Sequence, residues 1–132
     1  MPTITPDRPD ASSFSALDRI LVVGGSKRAV DLLRLATIRS DDVVLVAEHI
    51  DAVALRFARR FAIETRERPF SDSDLADASV ALVALGDEEA ENSIVRSARR
   101  RHVGIHVVDR PLVSDFTLLA LLEHPSLATL AA

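Results

Sequence analysis

Short runs of apolar, mostly branched residues punctuate the chain at regular intervals: RILVV at Arg19–Val23, VVLVA at Val43–Ala47, VALVAL at Val80–Leu85 and a less uniform run at Val103–Val108. Runs of this length, closed by turn residues and lacking polar alternation, are the pattern of strands buried on both faces. Ile63–Arg66 is a weaker, marginal strand candidate. Between these runs the apolar period lengthens. Ala29, Leu32, Leu33 and Ala36 predict a helix over Lys27–Ile38, an amphipathic segment follows at Asp51–Phe61, and a longer one at Asp87–Arg101.

Buried strands separated by helices predict a parallel sheet covered on both faces, joined by right-handed crossovers. The expected fold class is therefore α/β, a doubly wound Rossmann-type parallel sheet with a short C-terminal extension. Residues 1–15 read as an irregular lead-in, 16–115 as the nucleotide-binding domain and 116–132 as the extension. That extension carries two conflicting signals. FTLLALLE favours a helix by Leu and Ala propensity, whereas Glu123-His124-Pro125 favours a turn between the two strands of a hairpin.

A length of 132 residues fits one domain, and 48% hydrophobic with 27% charged residues is ordinary globular composition. With no cysteine, a disulfide framework and a thiolate metal site are both excluded. The four histidines show no metal-ligand spacing, so no metal is expected. A net charge of −4 argues against nucleic acid, and the basic run Arg96, Arg99, Arg100, Arg101 and His102 closes a predicted helix, where cations suit the negative end of the dipole. Neither a membrane-length apolar stretch nor a basic-then-apolar leader is present, so the expectation is a cytoplasmic protein with no membrane partner.

The first strand runs straight into Gly24-Gly25-Ser26-Lys27-Arg28-Ala29. The dinucleotide fingerprint wants small residues at the first, third and sixth places of such a turn. Gly24 supplies the tight turn, Ser26 takes the place of the second glycine, and Ala29 permits close helix–strand packing. The following helix aims free N–H groups at a diphosphate, and Lys27 and Arg28 add charge or are merely solvated. Glu48, directly after the second strand, occupies the place of the acid that accepts from ribose hydroxyls and favours NAD over NADP.

Three segments, ILVVGGSKRA, LVALGDEEAEN and VVDRPLVSDF, occur in this order and together resemble the precorrin-2 dehydrogenase family, the N-terminal module of sirohaem synthase. The resemblance spans about Leu17 to Leu127. It implies NAD-dependent oxidation of precorrin-2, a tetrapyrrole, to sirohydrochlorin in sirohaem biosynthesis, with Asp109 as the catalytic proton acceptor. It further implies that Gly24, Gly25, Ser26 and Ala29 form the phosphate loop and that Gly86, Asp87 and Glu88 lie near the nicotinamide ribose. Family members are dimers whose site draws on a region beginning near the position of Ala132, so the expectation is a homodimer, or a separate chain that supplies that region. Departures from the family pattern include Ser26 for Gly, Arg28 for Val, His106 for Asn, Gly86 for Thr and Leu119 for Pro.

Asp109 also has a reading independent of the family. It stands at the carboxyl end of the last strand, the edge where open α/β sheets bind ligands; the plainer alternative is an Asp closing a turn before Arg110-Pro111. Asp115 reads as structural, holding the loop from 109 to 115, with substrate contact as its alternative. His106 is either a hydrogen-bonded strand-end histidine or a substrate-binding residue, and strand alternation would point it away from Asp109. The acidic residues Asp87, Glu88, Glu89 and Glu91 read as stabilising a helix start. Two other functions fit the pattern: a non-catalytic dinucleotide-sensing module, and a decayed paralogue that keeps the fold.

Overall fold

The computed structural model describes residues 19–123. Five parallel strands form one sheet: β1 (Arg19–Val23), β2 (Val43–Ala47), β3 (Glu64–Glu67), β4 (Ala78–Val83) and β5 (Gly104–Val107), in the spatial order β3-β2-β1-β4-β5. The order reverses between β1 and β4, which are direct neighbours in register from Ile20 opposite Val80 to Val23 opposite Val83. Helices α1 (Lys27–Arg39), α2 (Ala52–Arg60), α3 (Glu88–Arg100) and α4 (Leu118–Glu123) cover the faces.

Alternation within each strand assigns the two cores. Ile20, Val22, Leu45 and Leu82 pack with Leu33, Ala36, Ala54 and Leu121 on the side of α1, α2 and α4. Leu21, Val23, Val46 and Val83 pack with Ile94, Val95 and Ala98 of α3 on the other. Both faces of β1 and β2 are thus dry, which is why their sequences read as unbroken apolar runs. Strand β3 at the edge is the exception: ETRE is largely exposed, so its strand signal is weak.

Most expected elements appear within one or two residues of their predicted limits. Strand β4 differs most: it begins at Ala78 and ends at Val83, leaving Ala84 and Leu85 to the loop that follows. The C-terminal conflict resolves as helix through Glu123, because Leu121 fills the core and the buried Arg39 donates from Nε to the Leu121 carbonyl at 2.9 Å. A hairpin strand over 118–123 is thereby excluded. The expected lead-in 1–15 and the stretch 124–132 lie outside the described residues.

The free edge of β5 is closed by the segment that follows it. Ser114 Oγ accepts from Val107 N–H, and Asp115 pairs with Ile105 through both its side chain (2.9 Å) and its own N–H (2.7 Å). His106 donates from Nδ1 to the Phe116 carbonyl at 2.9 Å, since a carbonyl can only accept. These contacts occupy the edge donors that would otherwise recruit another strand.

Candidate functional site

The carboxyl ends of β1 and β4 open a crevice at the point where strand order reverses, the place where doubly wound sheets bind ligands. Gly24 and Gly25 shape its floor. Gly24 has φ +138°, and a β-carbon there would lie 2.4 Å from the Ala84 carbonyl oxygen. A β-carbon on Gly25 would lie 1.7 Å from the His49 carbonyl oxygen. Backbone therefore packs directly on backbone at both positions, and Gly25 O also receives the Asp51 N–H at 2.8 Å.

Ser26 needs no glycine conformation: its φ is −83° and it is the N-cap of α1. Its Oγ accepts from Arg28 N–H at 3.3 Å, so the hydroxyl is turned to its own helix. The backbone N–H groups of Gly25, Ser26 and Lys27 have no acceptor among the described residues, whereas Gly24 N–H is taken by Val46 O. Three free amides thus stand where α1 begins. Lys27 is exposed, and Ala29 is fully buried where α1 meets the sheet.

Two clefts flank this loop and share Leu85. The larger, about 440 Å³, is bordered by Gly25, Glu48, His49, Phe70 and Ile94. Glu48 is exposed there and has no hydrogen-bond partner among the described residues. The smaller, about 280 Å³, is bordered by Ser26, Arg28, Gly86, Glu91, Asp109 and Arg110. The side chains of residues 26 to 28 leave the larger cleft open; only Arg28 reaches across the smaller one, where its Nη2 meets Asp109 Oδ2 at 2.5 Å. That contact raises the guanidinium pKa, by the hydrogen bond first and the carboxylate charge second.

Asp109 lies beyond β5 in a left-handed turn with φ +64°, so strand alternation does not govern its direction relative to His106. Asp109 borders the smaller cleft, while His106 is engaged with Phe116. Asp115 is committed to β5, with Arg99 at 3.5 Å from its other oxygen. Asp87 is the N-cap of α3 and accepts from Glu89 and Ala90 N–H. Gly86 has φ +80° in open space at the cleft wall.

Sequence reasoning underrated Glu91 and Arg110. Glu91 was grouped with the helix-start acids, yet it is buried, accepts from Leu85 and Gly86 N–H at 3.2 and 3.1 Å, and meets Arg110 Nη1 at 3.3 Å. Arg110 also donates to Asn92 Oδ1 at 2.8 Å. The Glu91-Asn92 ending of GDEEAEN is thereby a clamp on the cleft wall, which no local spacing rule reveals.

The chain belongs to the family of nucleotide-binding domains whose model, described as "Putative NAD(P)-binding", matches residues 15–120. Within it, the chain is a diverged relative of the siroheme synthases. It is 33% identical over 104 residues to a siroheme synthase of Methylococcus capsulatus, covering 78% of this chain and 22% of that protein. A siroheme synthase of Pseudomonas fluorescens SBW25 is 27% identical over 109 residues, covering 83% and 24%. The chain thus spans under a quarter of the length of these relatives. Among solved structures, SirC, a precorrin-2 dehydrogenase, shares the fold with a TM-score of 0.52 at 18% identity, over 58% of this chain and 39% of that one. No helix among the described residues is long and apolar enough to cross a membrane.

Proposed function

We propose that this chain binds NAD⁺ and serves the oxidation of precorrin-2 to sirohydrochlorin in the cytoplasm. The observation that carries the reading is the set of three free backbone N–H groups at Gly25, Ser26 and Lys27, set between two clefts at the reversal point of the sheet. The residues fit a dinucleotide. Glycines bring backbone to the crevice where side chains would fill it, and Ser26 keeps its hydroxyl on the helix. The amides and the start of α1 would hold the diphosphate. Glu48 would accept from the adenosine ribose and disfavour a 2′-phosphate. Gly86 and the adjoining wall would face the nicotinamide half, and the Asp87 carboxylate serves that wall through its helix cap.

When bound, the nicotinamide ring supplies a hydride acceptor. Asp109, exposed on the smaller cleft, takes the proton that a macrocycle releases as it gains conjugation. Glu91 and Arg110 hold the wall opposite without entering the chemistry. His106 and Asp115 act one step back, by fixing β5 and the turn that carries Asp109. The macrocycle exceeds what 280 Å³ can enclose, so a second copy, or another chain, would complete its site.

A non-catalytic dinucleotide sensor is favoured by one observation, the pairing of Asp109 with Arg28, which neutralises the proposed base. Calorimetry with NAD⁺ and NADP⁺, followed by absorbance changes of precorrin-2 with NAD⁺, separates the two. Turnover lost in Asp109→Ala supports the dehydrogenase, NAD⁺ binding without turnover supports the sensor, and no binding of either dinucleotide sinks both.

A further inference from the structure

The Arg28–Asp109 pair joins residues 81 positions apart, one at the start of α1 and one past the end of β5. Both side chains are well exposed, 58% for Arg28 and 74% for Asp109. An ion pair in that setting is weakly held, because water competes for each charge. A guanidinium on a phosphate makes two parallel charge-assisted hydrogen bonds and is held better. The second arginine of the cleft, Arg110, is already divided between Glu91 and Asn92. Arg28 is therefore the cation of this cleft whose only side-chain partner among the described residues is one a ligand can replace.

Resting on the dinucleotide reading above, we infer that Arg28 is an exchangeable anion-recognition residue. Without ligand it rests on Asp109; a phosphate group arriving at the free amides of Gly25, Ser26 and Lys27 draws it off. Entry of the phosphate then releases the Asp109 carboxylate for the proton it is to accept. Cofactor occupancy and availability of the base are coupled through one side chain. Asp109 competes with the phosphate for Arg28, so removing its charge strengthens phosphate binding, an outcome opposite to that of a simple binding residue.

Wild type, Arg28→Gln and Asp109→Asn are titrated by calorimetry with NAD⁺ and, separately, with inorganic pyrophosphate, at low and raised salt. Thermal unfolding serves as the folding control, and Asn tolerates the left-handed backbone at position 109 at least as well as Asp. Arg28→Gln weakens both ligands about tenfold and flattens the salt dependence. Asp109→Asn tightens both by about threefold. Unchanged affinity in Arg28→Gln, or weaker binding in Asp109→Asn, overturns the exchange. If pyrophosphate follows the expected pattern while NAD⁺ does not bind, the exchange stands and the proposed function fails. If NAD⁺ binds alike in all three proteins, the function stands and the exchange fails.

Discussion

Glu91, near the start of α3, reaches Arg110 just past β5, and with its other oxygen holds the two N–H groups of the β4–α3 loop. One buried carboxylate thereby ties together the two walls of the smaller cleft. Its removal leaves the Leu85 and Gly86 amides without their acceptor and the Arg110 guanidinium held by Asn92 alone at hydrogen-bond distance.

Glu91→Ala is expected to lower stability by about 2–3 kcal/mol, the cost of stranding buried donors, and Glu91→Gln by about half as much. Urea unfolding measures both. A loss under about 0.5 kcal/mol in the alanine variant would mean that water replaces the carboxylate freely.

The loop glycines should separate by steric surroundings. Gly25→Ala places a β-carbon 1.7 Å from a backbone oxygen, so the two loops must part; a loss of more than about 3 kcal/mol, or failure to fold, is expected. Gly86→Ala meets nothing within 4 Å and carries only the strain of φ +80°, about 1 kcal/mol. Equal losses at the two positions, read from thermal unfolding, would contradict this packing.

Asp74 is buried beneath Arg66 and Arg68, with Arg68 Nη2 at 2.6 Å and Ser71 N–H at 2.9 Å. Burial opposes its charge, but Arg68, the Ser71 amide and Arg66 outweigh burial and bring its pKa down from 3.8 to about 2. The folded state therefore binds this proton less readily than the unfolded chain. The stability it contributes, about 2 kcal/mol, is complete above pH 4 and is lost as pH falls toward 2. Denaturant titrations across that window should show a steeper decline for wild type than for Asp74→Asn; parallel curves would refute it.

Glu48 is expected to set the preference between cofactors. Glu48→Gln removes the charge that repels a 2′-phosphate, and should narrow the ratio of NAD⁺ to NADP⁺ affinity by about tenfold. Calorimetric titration with both dinucleotides reads the ratio directly, and an unchanged ratio places the selecting group elsewhere.

The sheet was legible because β1, β2 and β4 are buried on both faces beyond their first residues, so apart from Arg19 and Ser79 their positions are apolar and the runs stand out. Strand β3 was marginal for the complementary reason: at an exposed edge, ETRE carries no apolar signal. The glycine turn after β1 was legible as a short pattern closing a buried strand, although the contacts that demand Gly24 and Gly25 come from Ala84 and His49. Glu91 was misread because its partners, Leu85, Gly86 and Arg110, come from a turn before its own helix and from another strand end.

The sequence by itself determined the strand–turn–helix units and the glycine turn that follows β1, since each is a pattern of residues close in the chain. The tertiary structure alone decided which distant charges meet: Arg28 with Asp109, Glu91 with Arg110, Asp115 with the edge of β5. Hydrophobic period reports burial, a property each residue holds alone, whereas an ion pair requires two residues to be brought together, and only strand order brings them there.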